Sequence, residues 1–115
     1  MSDIYDEIEM GQLATIRGHR AVYLYYASYG GGSGPLWAIE GRPAEFTTSF
    51  LGPYQKGVCR RVHSDRVEME LSDGSIVEIP LGDFGRYDQF HLPPDSRFDF
   101  HEEDIVLVST REISG

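Results

Sequence analysis

The stretch of sequence that decides the fold is residues 57–81, GVCRRVHSDRVEMELSDGSIVEIPL. Apolar and polar residues alternate along most of it, which is the period of a β-strand with one buried face. Two short polar segments, residues 64–65 and 72–74, interrupt the alternation. We therefore predict three antiparallel strands joined by two tight turns.

The alternation also predicts how these strands pair. A two-residue turn at residues 64–65 places Val62 opposite Val67, Arg61 opposite Glu68 and Val58 opposite Leu71. A two-residue turn at the second break would place Met69 opposite Glu78 and so mix the two faces. A three-residue loop with Gly74 in the left-handed conformation instead pairs Met69 with Val77 and Val67 with Ile79.

This meander has a predicted inner and a predicted outer face. The inner face carries Val58, Val62, Val67, Met69, Leu71, Val77 and Ile79, and the outer face carries Arg61, Glu68 and Glu78. Cys59 is then predicted on the outer face, beside Glu70. Arg60 interrupts the inner face, and we expect it at a sheet edge or paired with an acid.

The remaining segments also favour β-structure. Residues 13–17 and 21–29 are predicted strands around a turn at Gly18, and residues 36–40 form a third strand after a glycine-rich loop at residues 30–35. Phe46 and Phe50 are expected in the core. Residues 105–108 are apolar on both faces and are predicted to be central or covered. Only residues 3–9, within an acidic N-terminal segment at residues 1–10, suggest a short helical turn, and residues 82–103 are expected to be irregular.

The predicted fold is therefore a single domain over residues 1–115, mainly β or β-rich α+β. We expect a strongly bent antiparallel sheet or a small barrel, with a short N-terminal helical turn. Gly57-Val58, residues 67–74, Ile79-Pro80 and the late strand at residues 105–108 resemble SH3-like small barrels of the Tudor and KOW kind. The resemblance covers about 50 residues and implies a binding module that uses aromatic residues and loops at one barrel end.

Composition narrows the classes of function. The chain has 115 residues and one cysteine, Cys59, so no intrachain disulfide can form. The N-terminus lacks the pattern of a signal peptide, and no apolar run reaches the length of a membrane helix, so a cytoplasmic location is expected.

The net charge is −9, and residues 64–115 carry 13 acidic but only four basic side chains. Such a chain is repelled by nucleic-acid phosphates and attracts a basic protein surface.

The sequence contains three candidate chemical sites, and the residue pattern favours none of them. The glycine loop at residues 30–34 leads into a strand rather than a helix, unlike phosphate-binding loops. Asp99, His101 and Glu103 would share one face of an extended segment and could meet a divalent cation, but exposed acids before a strand are more often a solvated rim. Cys59 lies beside two arginines, which lower a thiol pKa only where they approach it in space. We expect no cofactor, no metal and no enzymatic activity.

Aromatic side chains give the strongest indication of binding. The chain has seven tyrosines, and Tyr23, Tyr25 and Tyr29 are predicted on one strand face, where their apolar rings and hydroxyl tips suit an interface. Together with Asp99, Glu102, Glu103 and Asp104 they form the predicted partner-binding set.

The sequence thus suggests a small acidic, non-enzymatic protein-binding module. By analogy of size and charge alone, such a module could occlude a nucleic-acid-binding surface of its partner, as phage anti-CRISPR and anti-restriction proteins do. Two alternatives stay open. One is a small-ligand or metal-dependent enzyme that uses the acids of residues 91–104, and the other is a self-associating structural subunit, such as a homodimer, joined through the tyrosine strand.

Overall fold

The computed structural model describes residues 8–29, 32–47, 53–83, 90–91 and 102–108. These residues form nine strands: β1 (Leu13–Ile16), β2 (His19–Tyr29), β3 (Gly32–Ile39), β4 (Pro43–Phe46), β5 (Gln55–Val62), β6 (Arg66–Leu71), β7 (Ile76–Pro80), β8 (Phe90–His91) and β9 (Ile105–Leu107). Short 3₁₀ turns cover Leu81–Asp83 and Glu102–Asp104. The predicted N-terminal helical turn and Phe50 lie outside the described residues.

The strands form two antiparallel sheets rather than one closed barrel. Sheet A has the order β3-β2-β1-β9, and sheet B has the order β7-β6-β5-β4-β8. The prediction of a mainly β fold is confirmed. The small barrel, one of the two expected arrangements, is wrong, because the described strands form no closed barrel. The chain leaves sheet A at the end of β3, contributes β4 to β8 to sheet B, and returns to sheet A with β9.

The predicted meander corresponds to β5, β6 and β7. Val62 pairs with Val67, Met69 pairs with Val77, and Val67 pairs with Ile79, as the alternation predicted. The amide of His63 bonds the carbonyl of Arg66 across the two-residue turn. The loop at residues 72–74 has three residues, and Gly74 is left-handed with φ 88°.

A β-bulge in β5 overturns the start of that register. The pairing with β6 shifts between Cys59 and Arg61, so Val58 lies opposite Glu70 instead of Leu71. Val58 is consequently 44% exposed, whereas Cys59 is 1% exposed and belongs to the core. Both predictions were wrong because the extra residue, Arg60, exchanges the two faces upstream of it. Arg60 itself is exposed.

A second bulge divides the tyrosines. The pairing of β2 with β3 shifts between Tyr23 and Tyr25, which lie opposite Trp37 and Leu36. Tyr23 packs against Trp37 in the apolar cluster on the outer face of sheet A, and their ring centroids are 5.3 Å apart. Tyr25 instead packs against the core between the sheets. The predicted common face of these two tyrosines is therefore wrong.

The core between the sheets draws on both. Sheet A contributes Leu13, Val22, Leu24, Leu36 and Ala38, and sheet B with its flanking turn contributes Ala44, Phe46, Cys59, Val62, Val67, Met69, Ile79 and Leu81. The opposite face of sheet A is also apolar and buried, with Trp37 fully covered. Among the described residues, the outer face of sheet B is charged, and buried apolar clusters lie on both faces of sheet A.

At Gly11, the segment before β1 lies close against the β5–β6 turn. Gly11 has φ 96°, and a Cβ added there would lie 2.6 Å from the carbonyl oxygen of Ser64. Glycine alone combines that backbone conformation with so close an approach.

We predict that Met69→Ala lowers the free energy of unfolding by about 2–5 kcal/mol, because Met69 is fully buried and its truncation leaves a cavity. The matched control is Glu78→Ala on β7, whose side chain is 59% exposed and whose removal should cost less than about 1 kcal/mol. Urea unfolding of both variants measures the difference. Equal losses would contradict the register.

We predict that Gly11→Ala destabilises the protein more than Gly18→Ala. Both glycines have positive φ, and a left-handed alanine costs about 1–2 kcal/mol. An added Cβ at Gly18 meets nothing within 4 Å, whereas at Gly11 it collides with the Ser64 carbonyl. Melting temperatures compare the two, and a smaller loss for Gly11→Ala would show that the contact is not required.

Candidate functional site

The candidate site is the edge of sheet A formed by β9 and by the 3₁₀ turn that precedes it. In the turn of the β1–β2 hairpin, Arg17 and Gly18 both have positive φ, 53° and 85°. These values match a tight hairpin turn whose twist suits the flanking strands. The hairpin presents β1 as the strand on which β9 pairs.

Side-chain and backbone hydrogen bonds anchor β9 on β1. Ile16 pairs with Ile105, Thr15 with Val106, and Ala14 with Leu107. Just past the strand, the Val108 amide donates to the Leu13 carbonyl at 2.9 Å. The Gln12 side chain donates to the Leu13 and Val108 carbonyls, each at 2.9 Å. The end of β9 is therefore fixed although the strand has only three residues.

The side chains of β9 are more exposed than their composition predicts. Val106 is 62% exposed and Leu107 is 41% exposed, while Ile105 is partly buried against the outer cluster of sheet A. The predicted central or covered position of this strand is wrong, because β9 is the last strand of sheet A. Within the described part of the chain, no strand pairs with its other edge.

Acidic residues lead directly into this edge. Glu102–Asp104 form the 3₁₀ turn before β9, and Glu103 is exposed. The Asp104 carboxylate lies 3.7 Å from the Arg17 guanidinium, so it also ties the turn to the β1–β2 hairpin. The structure thus brings Glu103 and Asp104 of the predicted binding set beside two exposed apolar side chains. The side chain of Glu102 and all of Asp99 lie outside the described part.

The tyrosines of the predicted set do not join this edge. Tyr23 is 6% exposed and is a core residue, which leaves little of it for a partner to contact. Tyr25 is half-buried, and the side chain of Tyr29 is not among those described. A different tyrosine of the same strand, Tyr26, is 58% exposed. The exposure of Tyr26 was not predicted, because it follows from the β2 bulge between Tyr23 and Tyr25.

The outer face of sheet B carries charges of both signs that pair with one another. The ring nitrogen of His63 and the carboxylate of Glu68 lie 2.6 Å apart, and Arg66 contacts Glu78 at 3.2 Å and Asp65 at 3.0 Å. The hydrogen bond from His63, with nearby Arg61 and Arg66, lowers the pKa of the Glu68 carboxyl. Glu68 is half-buried under His63 rather than fully exposed as predicted. This face does not present a uniform charge.

Cys59 is not placed for nucleophilic chemistry. The β5 bulge turns it into the core, where burial and then the nearby Glu40 charge raise its thiol pKa to about 12. Glu40 is itself engaged, since its carboxylate accepts the Val62 amide at 3.0 Å. The neighbouring arginines, Arg60 and Arg61, are exposed on the other side of the strand.

Phosphate binding and metal binding, which the sequence does not favour, have little support among the described residues. The glycine segment pairs as part of β3 as far as Tyr29 opposite Gly32, so the strand begins earlier than predicted. A shallow groove of about 410 Å³ is lined by Lys56, Gly57, Val58, Glu70, Leu71 and Ser72. Within the described ranges, no three histidine, cysteine or acidic side chains are grouped to hold a metal ion. Asp99 and His101 of the suggested metal site lie outside those ranges.

Comparisons with protein-family models, with curated proteins and with solved structures gave no match to this chain. No helix of the described residues is long and apolar enough to cross a membrane.

We predict that the Cys59 thiol of the folded protein reacts far more slowly with iodoacetamide at pH 8 than the thiol of the unfolded chain. The thiolate is the reactive form, and burial together with the raised pKa removes it. Rates in buffer and in denaturant give the comparison. Fast modification of the native protein would contradict this burial.

Proposed function

We propose that this protein is a small acidic binding module for another protein, and that it binds a basic surface of that partner without catalysing a reaction. The observation that carries the proposal is the edge of sheet A, where the acidic Glu102–Asp104 turn leads through Ile105 to the exposed Val106 and Leu107. Apolar contact area supplies affinity at an interface, and neighbouring charge selects and steers the partner.

Charge supports a basic partner rather than an acidic one. The net charge of −9 creates a long-range negative potential that speeds encounter with a positive surface and opposes nucleic acid. On the outer face of sheet B, His63 and Arg66 lie against Glu68, Glu78 and Asp65, so these charges offset one another locally. The acids of residues 102–104 add negative charge immediately before the binding edge.

A basic surface on a cytoplasmic protein is commonly one that binds nucleic acid. A module of this charge that covers such a surface would compete with nucleic acid for it, and inhibition of the partner is the outcome we propose. Catalysis by the acids of residues 91–104 has no comparable observation in its favour, because those acids lie largely outside the described residues.

We predict that association with the partner depends on the acidic turn. The partner is the protein that co-purifies with the tagged chain from its native host. The Glu102→Gln/Glu103→Gln variant should bind it with a lower association rate and a weaker salt dependence between about 50 and 500 mM, because screening acts on the long-range field. Stopped-flow fluorescence measures both quantities.

The matched control is Glu70→Gln/Glu78→Gln on the outer face of sheet B. It removes two acidic side chains from the other sheet, so it should slow association less. Equal effects of the two variants, or an association rate indifferent to salt, would contradict a role for the acidic turn. Tight binding of the free protein to DNA or RNA at physiological salt would overturn the proposed function.

A further inference from the structure

The exposed edges of the two sheets differ in how they are protected from pairing with another strand. The β7 edge carries Glu78 and ends in Pro80, and β3 contains Pro35. Charges and prolines on outer strands are common devices against unwanted pairing. β8 has two residues only. β9 has neither a charge nor a proline, and two of its three side chains are exposed.

The backbone of β9 has a definite direction. The Val108 amide points to β1, where it bonds the Leu13 carbonyl. Backbone groups alternate in direction along a strand, so those of Val106 also point to β1 and those of Ile105 and Leu107 point away. In the described part of the chain no strand accepts or donates to these outward groups.

The side chains of β9 lie on both faces of the sheet at this edge. Val106 shares a face with Thr15, and Leu107 shares the opposite face with Ala14. An added strand could therefore make apolar contacts above and below while its backbone pairs with Ile105 and Leu107. Main-chain bonds supply affinity in such strand addition, and alternate side chains supply specificity.

We propose that the partner binds as an extended segment that adds to β9 as an antiparallel fifth strand of sheet A, with a lysine or arginine near its C-terminal end. This inference rests on the proposed function and specifies its mode. Antiparallel addition continues the pattern of sheet A. In that direction, the residues about two and three positions after the one facing Val106 pass Asp104 and Glu103. Basic side chains there complement the acidic turn.

The occupant is a basic segment rather than a second copy of this chain. Two copies joined at β9 would bring together two molecules that each carry a charge of −9. Like charges oppose such pairing. A segment with lysine or arginine gains from the same field.

The test uses a displayed library of random dodecapeptides, panned against the full chain at physiological salt. Enriched peptides should combine a β-branched or aromatic centre with a basic residue two or three positions after it. Their dissociation constants are measured by fluorescence anisotropy, and amide hydrogen exchange is followed with and without peptide. Binding should newly protect the amides of Ile105 and Leu107, whereas the Val106 amide should be protected already.

Two variants separate backbone pairing from side-chain contact. Leu107→Pro removes an outward amide but no bond to β1, so it should weaken binding at least about tenfold, more than Leu107→Ala, which keeps the amide. Val106→Lys at the exposed position should also abolish binding by repelling the basic segment, whereas Val106→Thr should largely retain it. The Val106 variants keep the test decisive if Leu107→Pro does not fold.

Several results would overturn the inference. One is a library without enriched binders, and another is a set of peptides that bind Leu107→Pro as well as the natural chain without protecting Ile105 and Leu107. Self-association that Val106→Lys abolishes would instead identify a second copy as the occupant. If the host partner depends on Glu102 and Glu103 but not on Leu107, the binding function stands and strand addition fails.

Discussion

The two-sheet structure depends on one extra residue in β5. Cys59 and Val62 are three positions apart, yet both enter the core between the sheets. A regular strand would send them to opposite faces, and the bulge at Arg60 reconciles their positions. Next to it, the Glu40 carboxylate accepts the Val62 amide, and the Gly41 amide donates to the Cys59 carbonyl at 2.8 Å. The passage from sheet A to sheet B is therefore fixed to the bulged strand itself.

Sequence reasoning was most successful where a turn and an alternating pattern agree. The pairing of β6 with β7 was predictable because the alternative two-residue turn places Glu78 opposite Met69. The bulges were not predictable from the sequence, because Val58 and Cys59 suit a buried face about equally well. In β2, the apolar residues at positions 22–25 likewise fit either face. Tertiary packing chose between these registers, and it moved Cys59 and Tyr23 from the predicted surface into the interior.

The candidate site was predicted only in part. The acids at residues 102–104 were chosen for their charge, and the structure places Glu103 and Asp104 beside β9. The exposure of Val106 was missed, since an apolar run usually indicates a central strand. The run of three acidic residues that ends at the strand could have indicated its exposure, because charged side chains favour contact with solvent. Sequence alone does not contain the order of strands in a sheet, and that order decides which apolar strand is open.

The β9 edge and the net charge together also determine how readily the protein aggregates. An apolar edge strand without charge or proline leaves backbone groups on which the edge of another molecule can pair. Mutual repulsion between molecules of charge −9 keeps such edges apart in dilute neutral solution. Acidification protonates the carboxylates and concentrated salt screens them, and both treatments remove that barrier while the edge stays in place. Handling conditions for this protein therefore follow from β9: neutral pH and modest ionic strength preserve dispersion.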